Sequence, residues 1–221
     1  MSIQAVIFDM DGVLVDSEAC WYRAAVNFAA EAGKTWTEID HHACMGNASE
    51  EWARYMREHL DLLLSLEDIT AKVTRRVQAQ YEQHLPLLPG AVQAVHAAAS
   101  AYRIALASGS PSELIDQVMN LTGLNKVFGA IVPGDAVKRG KPAPDIYLEA
   151  ARRIGTSPSR CVGVEDSLNG IRSLRAAGMF VIAVPSPSYP LPQEALDTAD
   201  VALPSLRDFS VELVQSLGSC R

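Results

Sequence analysis

The chain opens on an almost unbroken apolar run, Ile3 to Phe8 with only Gln4 polar. Such a run predicts a strand over 3–8 buried on both faces, as in a parallel sheet. A helix is predicted next over 17–33, with Ser17 at the N-cap, Glu18 in the first turn and Gly33 just past the end. The region from about 36 to 83 carries no strand pattern. Helical periodicity recurs near 37–44, 49–63 and 67–84, and Trp52, Tyr55, Met56, Leu60 and Leu63 follow at spacings of three or four, a stripe expected to pack inward. At Leu85-Pro86-Leu87-Leu88-Pro89-Gly90 the texture changes, and strand-sized runs then alternate with helix-sized ones. Helices are predicted over 90–101, 111–122, 144–154, 168–177 and 206–217, and strands over 104–107, 128–132, 161–164, 180–184 and 200–203.

Alternation of this kind argues for βαβ units. The expected fold is α/β: a Rossmann-like parallel-sheet core of residues 1–15 and 86–221, with a small all-helical cap domain, residues 16–85, inserted after the first strand. No internal repeat or low-complexity tract interrupts it, and the Pro-rich Ser186–Pro192 reads as a surface connection.

Composition narrows the partners. With 221 residues, 48% hydrophobic and 20% charged, the chain can bury a sizeable core. A net charge of -7 disfavours nucleic acid, whose phosphates call for a basic face. Cys20, Cys44, Cys161 and Cys220 show neither disulfide nor zinc spacing. No signal-peptide pattern and no membrane-length apolar run is present, so a cytoplasmic protein, a monomer, is expected.

The candidate chemistry sits where strands end, because ligands of open α/β sheets bind outside the carboxyl ends of the strands. Asp9 and Asp11 follow the first strand at a spacing that puts both on one side, and Gly12 follows at once. Ser108-Gly109-Ser110 follows the second strand, and Glu165-Asp166 follows the 161–164 strand. Lys141 lies between Gly140 and Pro142 in a loop facing the same edge. Ser110, Pro111 and Glu113 fit N-cap, N1 and N3 of a capping box, while Gly109 lets backbone N–H groups approach an anion. Carboxylates grouped in this way suit a Mg²⁺ site completed by water and substrate phosphate.

Asp9-x-Asp11-Gly12-Val13, Ser108, Lys141-Pro142 and Glu165-Asp166-Ser167 resemble, in order, the four motifs of the haloacid-dehalogenase-like superfamily. The helical insert and the runs around Glu18, Lys141 and Asn169 resemble its β-phosphoglucomutase-like and sugar-phosphate phosphatase branch. The resemblance implies that Asp9 is the nucleophile and Asp11 the acid and then the base. Ser108, Gly109 and Ser110 would bind the phosphoryl group, with Lys141 as its counter-charge. Mg²⁺ would be held by Asp9, the Asp11 carbonyl and Asp166, with Glu165 adjacent or ligating. Two close carboxylates, one of them on the metal, should differ in pKa, which would let Asp11 act as the acid while Asp9 stays ionised.

Particular residues sharpen the branch. Asp11 is absent from dehalogenases of this resemblance, which need no acid, so its presence points to phosphate esters. Lys34 and Lys72, the only lysines of the insert, match no phosphonatase motif. Where β-phosphoglucomutases carry a histidine, this chain has Trp21, and no arginine follows the turn Met45-Gly46-Asn47-Ala48 until Arg54. Trp21 resembles instead the phosphatases of 2-deoxyglucose 6-phosphate and hexitol phosphates, where it would meet the sugar. His41 and His42 are expected on a solvated helix face. The expected function is thus Mg²⁺-dependent hydrolysis of small phosphorylated metabolites, sugar phosphates foremost. The alternatives are a β-phosphoglucomutase-like isomerase and a silent phosphometabolite sensor.

Overall fold

The computed structural model describes residues 2–44, 49–186 and 190–219. Residues 45–48, where a turn is expected, residues 187–189 of the Ser186–Pro192 connection and Cys220 lie outside the described residues. Strand β1 (Ala5–Phe8) is followed by four helices with no strand between them: α1 (Glu18–Glu31), α2 (Glu38–Cys44), α3 (Ser49–His59) and α4 (Leu66–Gln83). The alternating part then runs α5 (Ala91–Ala101), β2 (Arg103–Ser108), α6 (Ser112–Thr122), β3 (Ala130–Pro133), α7 (Asp145–Arg153) and β4 (Cys161–Glu165). It ends with α8 (Leu168–Ala176), β5 (Phe180–Ala183), α9 (Gln193–Thr198), β6 (Val201–Ala202) and α10 (Val211–Ser219).

All six strands are parallel, in the order β3-β2-β1-β4-β5-β6. Side chains alternate across the sheet, as period two requires. Ala5 and Ile7 pack with Tyr147, Ile171 and Leu174 beneath α7 and α8, whereas Val6 and Phe8 join the larger cluster on the other face, with Val95, Ile115 and Phe209. Both faces are covered, which is why β1 is wholly buried and reads as a continuous apolar run. From β1 the chain builds outward in both directions, β2 and β3 on one side and β4 to β6 on the other. That reversal opens a crevice at the carboxyl ends. Phe8 is level with Leu106 and Val164, so Asp9, Ser108 and Glu165 emerge within a residue or two of one height.

The four-helix insert packs chiefly through α1 and α3 against α4. Its two connections to the sheet run side by side. Val15 bridges Leu87 antiparallel, the Asp16 N–H donates to the Pro86 carbonyl at 2.8 Å, and the Leu88 N–H donates to the Leu14 carbonyl at 2.9 Å.

Several local expectations are corrected. Ser17 precedes α1 in helical conformation and makes no side-chain cap. Gly33 does lie past the end, at φ +70°. Leu63 does not pack: the chain leaves α3 at His59, and Leu63 is fully exposed. The single helix expected over 206–217 is two elements, a 3-10 turn at Leu206–Asp208 and α10. Ser205 and Ser210 each accept a backbone N–H, from Arg207 and Leu213, so each starts its own turn. Helix α9 was not predicted, because six residues are too few to display a 3.6 period.

Candidate active site

Burial and backbone geometry fix the acidic groups. Asp9 follows β1, its N–H donating to the Val164 carbonyl at 3.0 Å, and is 5% exposed. Glu165 ends β4 and is fully buried. Lys141 Nζ bridges them, 2.8 Å from Asp9 Oδ1 and 2.6 Å from Glu165 Oε1. The Tyr147 hydroxyl of α7 donates to the same Oε1 at 2.8 Å. The other Glu165 oxygen accepts from the Asp166 and Ser167 N–H groups and the Ser167 hydroxyl. Five donors thus satisfy one buried carboxylate, the condition for holding such a charge away from water.

Two glycines make this arrangement possible. Gly12, at φ +73°, stands where a Cβ would fall 1.7 Å from Asp166 Oδ2, and a Cβ on Gly170 would fall 1.7 Å from Glu165 Oε1. A residue larger than glycine at either place would displace a carboxylate.

Asp11 is held differently. Its Oδ2 accepts from the Ser110 hydroxyl at 2.7 Å and the Ser108 hydroxyl at 3.1 Å, and Trp21 Nε1 donates to Oδ1 at 3.5 Å. The capping box expected at Ser110 is therefore not formed. Its hydroxyl is drawn to Asp11, and Pro111 precedes α6 without a side-chain cap. Ser108 is wholly buried and reaches the cavity through Asp11, while Gly109 and Ser110 line it directly.

These groups open onto a cavity of about 390 Å³ between the sheet edge and the helical insert. Asp9, Asp11, Lys141 and Asp166 line it from the sheet side, with Ser167 and Asn169 at the start of α8, and Glu18, Trp21, His41 and Trp52 from the insert. The structure brings Asp9, Asp11, Gly109, Ser110, Lys141, Asp166 and Trp21 to one cavity, with Ser108 and Glu165 buried behind it.

Three residues of this neighbourhood, Glu18, His41 and Tyr147, are not among the site residues expected from the sequence. His41 is not on a solvated face: it is 5% exposed, with Nε2 2.9 Å from Glu18 Oε2. Glu18 lies one turn before Trp21, a spacing that puts both on one face of α1. Tyr147 carries no sequence signal, because its partner is 18 residues away on another element.

The electrostatics point to a missing positive charge. Burial pushes the Asp9 carboxyl up to about 8; Lys141 opposes this, and Glu165 and Asp11 add to it. Burial and the same carboxylates push Asp166 well up. Burial alone would raise Glu165 and lower Lys141, but Lys141 holds Glu165 low, and the Asp9 and Glu165 carboxylates hold Lys141 high. One ammonium among Asp9, Glu165 and Asp166 is too little. Ligand oxygens of these three residues lie within 4.8 Å of one another, and an all-oxygen, acidic donor set fits a hard divalent cation. The expectation that Asp9 stays ionised therefore holds only where such a cation joins Lys141.

Residues 3–178 match the family model described as haloacid dehalogenase-like hydrolase. The phosphorylated carbohydrates phosphatase of Thermotoga maritima is 34% identical over 178 residues, covering 80% of this chain and 82% of that protein. Hexitol phosphatase B of Escherichia coli K12 is 32% identical over 223 residues, covering 95% and 96%. The crystal structure of CbbY from Rhodobacter sphaeroides in complex with phosphate superposes with a TM-score of 0.87 at 27% identity, covering 97% of this chain and 99% of that one. The family model spans the sheet edge where Asp9, Lys141 and Asp166 meet, and the chain belongs to the haloacid dehalogenase-like hydrolases.

Proposed function

We propose that the chain is a Mg²⁺-dependent phosphomonoesterase acting on small phosphorylated metabolites, sugar or polyol phosphates foremost, through an aspartyl-phosphate on Asp9. The observation that carries this reading is the Asp9–Lys141–Glu165 bridge beside Asp166, opening onto the same cavity as Asp11. Names of the relatives agree with it: two are phosphatases, of phosphorylated carbohydrates and of hexitols.

Asp9 and Asp166, with the Asp11 backbone carbonyl, would hold Mg²⁺; bound there, the ion supplies the charge that lets Asp9 ionise and offsets the substrate's phosphoryl oxygens. An Asp9 oxygen attacks phosphorus as the bond to the leaving alcohol breaks. Protonated Asp11 gives its proton to the oxygen of the departing alcohol, which leaves neutral. Asp11, now a carboxylate, takes a proton from the water that attacks phosphorus, releasing inorganic phosphate and restoring Asp9. Ser108 and Ser110 keep Asp11 aimed at the cavity, and the Gly109 and Ser110 backbone faces the phosphoryl oxygens. Lys141 neutralises charge, with Glu165 and Tyr147 as its buried support. Trp21 meets the leaving group from the insert. The free, buried thiols of Cys20, Cys44 and Cys161 suit a reducing cytoplasm, and a single chain supplies every residue named, so we place the enzyme there as a monomer.

The test is phosphate release from a panel of phosphorylated metabolites. Turnover of one or more in Mg²⁺, lost in EDTA and restored by added Mg²⁺, is expected. Equal turnover in EDTA would refute the metal-assisted reading, and no release from any monoester would refute the activity.

A further inference from the structure

The insert side of the cavity has a charge pattern that the proposed chemistry does not use. His41 packs its ring on Tyr22, 5.2 Å between centroids, and its Nε2 contacts Glu18 Oε2. A carboxylate oxygen accepts, so Nε2 carries the proton. Among the described residues no donor engages the other Glu18 oxygen, and Glu18 lines the cavity. Beside it Trp21 and Trp52 meet edge to face, with ring centroids 6.2 Å apart, and both line the same wall.

Cations are missing from this wall. Among the described residues Lys141 is the only lysine or arginine lining the cavity, and Asp9 and Glu165 already engage it. Residues 45–48 read Met-Gly-Asn-Ala and 187–189 read Pro-Ser-Tyr, so neither segment contains one. Arg54 is half exposed and paired with Glu50 on its own helix, and Arg23 bonds Gln80 and Cys20. A second phosphate or a carboxylate on the substrate would face Glu18 with no counter-charge, and like charges brought together out of water repel strongly. A hydroxyl would instead donate to Glu18, while the C–H face of the same molecule would cover the tryptophans.

Resting on the phosphatase reading above, we propose that the Glu18–His41 pair restricts the enzyme to phosphomonoesters whose leaving alcohol is uncharged and bears hydroxyls. Glu18 accepts from a leaving-group hydroxyl. His41 is a positioning residue that fixes one Glu18 oxygen and leaves the other for substrate. Substrates carrying a second anionic group, bisphosphates and phosphorylated carboxylic acids, are rejected. A mutase that passes through a bisphosphate is disfavoured on the same ground.

The experiment compares kcat/KM of the Mg²⁺-loaded enzyme for sorbitol 6-phosphate, glucose 6-phosphate, fructose 1,6-bisphosphate, phosphoglycolate and p-nitrophenyl phosphate. The best hydroxylated monophosphate should exceed fructose 1,6-bisphosphate and phosphoglycolate, which carry a second anionic group, by about 100-fold or more. Glu18→Lys should raise the ratio of bisphosphate to monophosphate about 100-fold. His41→Phe should lower the ratio of sugar phosphate to p-nitrophenyl phosphate about 10-fold, through KM, and His41→Gln, which keeps a donor, should restore most of it. Wild-type turnover of the bisphosphate on a par with the monophosphates would overturn the proposal. So would variants that lower every substrate by one common factor, the mark of a merely structural role. If the wild type hydrolyses no substrate, p-nitrophenyl phosphate included, the phosphatase reading falls and this proposal with it.

Discussion

The sheet edge and the helical insert meet across one cavity, yet they are built by different rules. At the edge Asp9 and Glu165 leave neighbouring strands in fixed register, are buried, and share Lys141; Glu165 alone accepts five hydrogen bonds. Backbone position dictates those residues, even to the glycines at 12 and 170. On the insert the lining residues come from helix faces, and their contacts are ring against ring or a single histidine–carboxylate hydrogen bond. The edge supplies chemistry that tolerates no displacement. The insert supplies a surface that other side chains of similar size could also form, and it is there that the proposed selection among substrates would act.

The comparison is broken most sharply at the edge. Asp9→Asn should lower phosphate release by about 10⁴-fold or more, with an unchanged circular dichroism spectrum. Comparable activity in the variant would mean that another group attacks phosphorus. Gly170→Ala comes next. In a solvent-exposed helix this change gains roughly 1 kcal/mol. Here the new methyl would fall on Glu165 Oε1, the atom that Lys141 and Tyr147 share, so a net loss of about 1–3 kcal/mol is expected by urea denaturation. Activity should drop about 10- to 100-fold with it. A stabilised, active variant would show that the Glu165 anchor is dispensable.

A smaller effect distinguishes metal-free from metal-loaded protein. The folded-state Asp9 carboxyl is raised from 3.8 to about 8, so the metal-free fold binds this proton more tightly than the unfolded chain does. That contribution to stability is full below pH 3.8 and is lost as pH rises towards 8. Mg²⁺ needs the ionised carboxylate, so the gain in Tm on adding Mg²⁺ should be larger at pH 8 than at pH 6, read in paired thermal melts with EDTA. An equal gain at both would detach the metal from this cluster. The mildest change lies on the insert: Trp21→Phe keeps an aromatic face but loses the weak Nε1 contact to Asp11, and should alter KM by several-fold at most. A collapse of kcat there would erase the distinction between the two sides.

The same contrast explains what the chain reveals when read as letters. Asp9, Asp11, Lys141 and Asp166 were legible because a strand end followed by an acid, or a lysine beside a proline, is a local pattern. The α/β alternation was legible because the inner strands β1, β2, β4 and β5 are buried on both faces. Glu18 and His41 were not, since they come 23 residues apart from different helices and each has an ordinary surface use. Ser110 was misread for a related reason. Its position suits a helix cap, and only the arrival of Asp11 from another strand redirects the hydroxyl. Helix α9 and the break before α10 escaped because short turns carry no period.

The paired connections at Val15 and Leu87 have a further consequence. The chain leaves the sheet and returns to it at one point, with Asp16 bonded to Pro86. When the two ends of an excursion already touch, lengthening or exchanging what lies between costs the rest of the molecule little beyond loop-closure entropy, which grows only slowly with length. The insert is therefore a module with a fixed socket. Replacing residues 16–86 here by the aligned segment of a hexitol phosphatase, or the reverse exchange, is a direct route to recombining one catalyst with different appetites.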